Sequence, residues 1–253
     1  MNFKNSKFKI TLILINSIFL IIIIFFTPLA CYVFNLDYYS TLYEENDVFS
    51  VLNKEDVLNV TERIFKYFEY REELDYLDPS LQVRYSKESM SSVAFFMPDE
   101  VNHLNDVRKL LTKIFILYFS SIILVIIGFV LLINKNIKIF IRDLGKTFII
   151  SSALILLFII ILYLLGKNFP VLFDNFHLIF FPQGNFTFSG SSLIITLFPF
   201  GFFYDFFIKI VLCSAIISTI VLVAGIIFVN IFKILKGDNS KRSGKFNYQK
   251  SKA

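Results

Sequence analysis

Four stretches of this chain carry no charged side chain over a membrane-spanning length: Ile10–Leu36, Ile114–Asn134, Thr147–Gly166 and Ile210–Phe232. A helix rises 1.5 Å per residue, so about twenty apolar residues cross a hydrocarbon core of roughly 30 Å. Helix is the only economical choice, because an open strand leaves its backbone polar groups unsatisfied in lipid. Composition agrees: 56% of the 253 residues are hydrophobic, with 33 Phe and no Trp, which is too apolar for an ordinary soluble domain. The expected fold is mainly α. It is a four-transmembrane-helix bundle with an extracytoplasmic α subdomain carrying a small β element, and an interfacial second outer loop.

Charge sets the expected orientation. The first nine residues hold Lys4, Lys7 and Lys9 and no acid. The connection between the second and third spans holds Lys135, Lys138, Arg142 and Lys146 against Asp143, and the tail holds seven bases against Asp238. Together these segments carry fourteen basic residues and two acids, which makes their side cytoplasmic by the positive-inside rule. The loop from Cys31 to Lys109 carries sixteen acids against eight bases and is expected outside, as is 167–209. The reading is a cytoplasmic N-terminus at 1–9, spans at 10–30, 110–134, 147–166 and 210–232, and an outer subdomain at 31–109. A cytoplasmic loop at 135–146, an outer interfacial loop at 167–209 and a basic cytoplasmic tail at 233–253 complete it. The net charge of +5 is then a topology signal, and nucleic acid is not an expected partner.

The first span ends in FFTPLACY, which invites a reading as a lipoprotein cleavage site at Cys31. The run is long for a signal-peptide core, and Pro28 stands where an aliphatic residue belongs, so it reads as a retained span. Cys213 lies at a similar depth in the fourth span and could pair with Cys31. The simpler reading is two small apolar packing residues.

Within the first outer loop, Val57, Val60, Ile64 and Phe68 recur at helical spacing, with Asn53 as N-cap and Asp56 three residues on. Tyr76–Pro79 reads as a turn. The short stretches NLDYYSTLY, LQVRYS and SSVAFF are rich in Tyr, Val and Phe and read as strands. Pro98 suits the first position of a helix, with Asp99 and Glu100 at its positive end, running without a breaker into the second span. The second outer loop is bracketed by Pro170, Pro182 and Pro199, has apolar pieces too short to span, and carries a turn at Pro182–Asn185. Its Phe-rich sequence, Phe180, Phe181 and Phe186 included, suggests contact with acyl chains.

The chain has two histidines, one in each outer loop. His103 shares a helix face with Glu100 and Asp106, three residues away on either side, and His177 shares one with Asp174 if 171–180 is helical. Each imidazole thus has a carboxylate nearby to orient it, the arrangement a general base needs, although this spacing makes no contact by itself and allows pairing across the site equally well. Either histidine alone is equally readable as structural, and a metal site using both with two acids is a further possibility on spacing. No metal and no cofactor is expected.

EVNHLNDVRKL closely resembles the His-(Leu/Met)-x-Asp-Val motif of the bacterial lipoprotein intramolecular transacylases, which are integral membrane proteins. FDNFHLIFFPQGNFTF followed by LIITLFPFGFFYD resembles that family's second motif, in which Phe-His-x-x-Phe-Phe precedes a Gly-Asn-aromatic turn and a later Leu-(Phe/Tyr)-Pro. One departure is Phe186, where the family is expected to carry Trp. The resemblance spans nearly the whole chain. It implies an enzyme of the bacterial cytoplasmic membrane that acts on the N-terminus of a diacylglyceryl lipoprotein. The acyl chain would move from the sn-2 glycerol oxygen to the α-amino group of the lipidated cysteine, giving the lyso-form. The family's two functional histidines match His103 and His177, and we read His103 as general base and acid and His177 as the electrophilic or orienting partner, an order that the sequence alone also permits in reverse. Two competing readings are a Ser/His acyl hydrolase using Ser189, Ser191 or Ser192, and a non-enzymatic transport or sensing protein. The serines lack a nucleophile elbow and more simply cap a helix from Leu193, while no span carries a central charge for a translocation path.

Overall fold

The computed structural model describes residues 6–86, 93–133, 136–184 and 186–250, with side chains from 7 to 232. Its helices are α1 (Ser6–Tyr32), α2 (Leu36–Glu45), α3 (Val48–Val51), α4 (Lys54–Phe68), α5 (Pro98–Leu132), α6 (Ile137–Gly166), α7 (Phe169–Phe180), α8 (Leu193–Leu197) and α9 (Phe200–Lys250). Strands β1 (Val83–Arg84) and β2 (Val93–Ala94) pair antiparallel, Val83 opposite Ala94. Among the described residues, four helical segments are long and apolar enough to cross a membrane: Lys7–Tyr32, Pro98–Leu132, Ile137–Gly166 and Phe200–Phe232. The chain divides into two compact units.

One unit comprises α1 up to Phe26, Leu117–Ile161, and the chain from Cys213. Its helices are all apolar outside, so burial against water cannot drive their association, and small and polar side chains hold them instead. Ser17 Oγ donates to the carbonyls of Ile13 and Thr147, and Ser218 Oγ donates to that of Ser152 at 3.1 Å. Gly145 on α6 and Gly225 on α9 face each other backbone to backbone. A Cβ on either would lie 2.8–2.9 Å from the other's carbonyl oxygen. Asp143, buried, pairs with Lys9 and Arg142.

The other unit comprises Thr27–Ile116 and Leu162–Leu212. Its core gathers Leu42, Tyr43, Leu52, Val57, Ile64 and Phe96, all nearly inaccessible. NLDYYSTLY, expected as a strand, forms α2. Asn35 caps it by accepting from Tyr38 N at 2.9 Å, and Tyr39, Leu42 and Tyr43 fall on one buried helical face. That three-and-four spacing outweighs the strand preference of Tyr and Thr. LQVRYS does supply β1 and SSVAFF supplies β2, although Ser91 and Ser92 lie outside the described residues. α4 begins as expected, Asn53 Oδ1 accepting from Asp56 N at 3.2 Å. The Asp56 carboxylate then holds Arg84 Nε and Nη2, both at 2.7 Å, which ties α4 to β1 and keeps that carboxyl below its ordinary range. Cys31 and Cys213 are free thiols, not a disulfide.

Candidate active site

α5 begins at Pro98, and Glu100 in its first turn reaches back to accept from Met97 N at 2.6 Å, the reciprocal half of a capping box. One turn on, the helix presents His103. On α7 the inward face repeats every four residues as Phe169, Phe173 and His177, with His177 in the last turn. The two imidazoles lie 74 positions apart in sequence. Their ring centroids are 6.0 Å apart and the rings are tilted by only 22°. Each residue is 8% exposed, so the pair is nearly dry.

Aromatic side chains make that environment. Phe181, 2% exposed, touches both rings, with centroids 4.9 Å from His103 and 5.5 Å from His177. Phe188 lies 5.5 Å from His103, while Phe173 and Phe186 lie 4.3 Å and 5.1 Å from His177. Phe180 points away and is exposed, as are Leu178 and Ile179, so α7 offers an apolar outer face beside the buried pair. Of the three phenylalanines expected to meet acyl chains, Phe180 is accessible, Phe186 half-buried, and Phe181 packed beneath the histidines.

The His177 Nδ1 hydrogen bond runs to the Phe173 carbonyl at 2.8 Å rather than to Asp174, which is exposed. A carbonyl oxygen only accepts, so Nδ1 carries the proton and Nε2 of the neutral ring holds the lone pair. Glu100 is fully buried and spends both oxygens on backbone amides, Oε2 on Met97 N and Oε1 on Ile194 N at 2.9 Å. Asp106 accepts from Lys109 Nζ at 3.1 Å and from Gln183 Nε2 at 2.7 Å. Among the described residues no three His, Cys, Asp or Glu side chains gather as a metal-holding set.

Around the turn after α7, Gly184 takes φ +79° and its N–H donates to the Phe181 carbonyl at 3.0 Å; Asn185, the last residue of the expected turn, lies outside the described residues. Ser189 and Ser191 are exposed and their hydroxyls bond to each other at 3.0 Å. Ser192 occupies the N-cap position of α8 but makes no side-chain cap bond; its hydroxyl donates to the Ser189 carbonyl, and Glu100 caps the helix instead. Sequence reasoning missed Phe173, Phe188 and Gln183. Phe173 was within reach, since it stands one turn before His177 on the same face.

A family model described as lipoprotein intramolecular transacylase matches residues 13–203, and no curated protein matches the chain. Among solved structures, the membrane-integral lipoprotein intramolecular transacylase of Bacillus cereus is similar in fold, with a TM-score of 0.60. The two share 19% identity over 94% of this chain and 100% of that one. A form of the same Bacillus cereus protein with a histidine-to-arginine substitution also has a TM-score of 0.60, at 17% identity over 94% of this chain and 96% of that one.

Proposed function

The chain belongs to the lipoprotein intramolecular transacylase family and is an integral membrane enzyme; from that premise we propose that it moves an acyl chain from ester oxygen to amine within one lipoprotein N-terminus. The donor is the sn-2 ester of the diacylglyceryl group, and the acceptor is the α-amino group of the cysteine that carries it. The C–O bond breaks, a C–N bond forms, and the proton lost by the amine ends on the glycerol oxygen.

The observation that carries this reading is the near-parallel histidine pair, 6.0 Å apart and walled by aromatic rings. Donor and acceptor belong to one molecule, so the enzyme has no nucleophile to supply. Holding them in attack geometry is worth roughly 7–11 kcal/mol. The α-ammonium, with an ordinary pKa near 8, first releases one proton to water; the neutral amine loses a second as the C–N bond forms, and a positioned imidazole that takes this one contributes about 10²–10⁴-fold.

The hydrogen bond from His177 Nδ1 to the Phe173 carbonyl favours the reverse of the roles read from the sequence. His177 Nε2 carries the lone pair and takes the amine proton; it then returns that proton to the departing glycerol oxygen. His103 donates to the oxyanion that develops on the ester carbonyl. The exposed apolar face of α7, with Phe180, and the half-buried Phe186 support acyl-chain contact beside the pair. The excess of bases at 1–9, 135–146 and 233–253 supports a site on the extracytoplasmic side of a bacterial cytoplasmic membrane.

His103→Asn and His177→Asn test the reading. Asn keeps a polar group of similar size but takes no proton near neutrality. Each variant should insert normally and lose about 10²–10⁴-fold in N-acylation of a synthetic diacylglyceryl peptide. Near wild-type turnover in either variant would return that histidine to a structural role.

A further inference from the structure

Resting on the transacylase reading, we infer that Glu100 and Gln183 are positioning residues, which fasten the second loop, and with it His177, to the face of α5 that carries His103. Glu100, His103 and Asp106 follow at three-residue steps along that face. The two carboxylates hold the loop one turn to either side of the histidine. Glu100 Oε1 takes Ile194 N at the start of α8, and Asp106 Oδ2 takes Gln183 Nε2 just after α7.

The burial of Glu100 shows that it does more than cap its own helix. A capping-box glutamate needs only the bond to Met97 N and can stay in water. This one is fully inaccessible, a costly place for a carboxylate unless it is well paired. Two charge-assisted N–H bonds and the positive end of α5 offset that cost. Its second oxygen joins a residue 94 positions along the chain.

Gln183 acts over a short path. His177 O accepts from Phe181 N at 2.7 Å, and Phe181 O accepts from Gly184 N at 3.0 Å, so the backbone from 177 to 184 moves as a unit. Between the two fasteners run Phe186 and Phe188, whose rings lie against His177 and His103. Loosening either end changes the separation and tilt of the imidazoles without removing a proton-transfer group.

The test uses the full-length protein in lipid–detergent micelles with a synthetic diacylglyceryl-cysteinyl peptide. kcat and KM are measured for Glu100→Gln and Gln183→Ala, each alone and combined with His177→Asn. Gln preserves the shape of Glu but turns an amide nitrogen towards one of the two backbone N–H groups. Each single change should lower kcat about tenfold or more, with KM held within about twofold, because a misplacement near 1 Å is felt mainly in the transition state.

In the His177→Asn background neither change should cost anything further, since nothing remains for it to position. The same fold-loss in both backgrounds overturns the inference and leaves the two residues as general supports of the fold. If Glu100→Gln fails to fold, Gln183 is exposed and carries the same comparison. A wild-type protein that transfers nothing refutes the functional reading instead, and the two failures are told apart before any variant is made.

Discussion

Replacing Phe181 with alanine separates two roles that its position allows. A ring 2% exposed and seated against both imidazoles is part of the core, so its removal leaves a cavity the neighbours only partly fill. Losses for buried Phe→Ala run about 3–5 kcal/mol, and with partial collapse of the surrounding rings we expect about 3 kcal/mol. Phe181→Leu keeps most of the volume and should lose about 1 kcal/mol. Denaturant titration of the purified protein in detergent reads these values, and transfer rates with peptides of short, medium and long sn-2 chains read the function. Phe181→Ala should slow all three substrates by a similar factor, because it relaxes the histidine pair and does not resize an acyl site. Unchanged stability with an altered chain-length preference would refute this, and would return Phe181 to the substrate-contact role expected from the sequence.

Gly225→Val should destabilise the protein by about 1–3 kcal/mol, since even a Cβ there stands 2.9 Å from both the Gly145 carbonyl oxygen and Phe148 Cβ. Gly190→Ala, with nothing within 4 Å, should be silent to within about 0.5 kcal/mol; equal effects on detergent unfolding would contradict the close α6–α9 approach. Orientation is read by single cysteines in a Cys31→Ser, Cys213→Ser background. Asn59→Cys, at an exposed position, should react with an impermeant thiol reagent in intact cells and Lys245→Cys should not, while the opposite pattern sinks the proposed sidedness.

Much of this was legible because bilayer physics is coarse. Uncharged runs of twenty residues have one workable structure, and the four candidate membrane-spanning helices contain all four of them apart from a few end residues. The two histidines could be nominated from rarity and motif, but their meeting at 6.0 Å depends on how α7 folds back within its unit, which no local pattern states. Local preference misled at α2, where Tyr and Thr favour strands while Tyr39, Leu42 and Tyr43 needed one helical face. The carboxylates illustrate a different limit. Spacing placed Glu100 and Asp106 beside His103 but could not show their bonds to Ile194 N and Gln183. Likewise, Asp174 lost the Nδ1 bond of His177 to a backbone carbonyl that sequence spacing does not weigh.

The central claim is an oxygen-to-nitrogen acyl shift within one molecule, and tandem mass spectrometry of the wild-type product tests it most directly. Such a shift is an isomerisation: the product should have the mass of the starting diacylglyceryl peptide. Its fragments should carry one acyl chain on the cysteine amine and one on the glycerol. A product lighter by the acyl chain, with free fatty acid released, would mean hydrolysis and contradict the account, as would a heavier product acylated from another lipid.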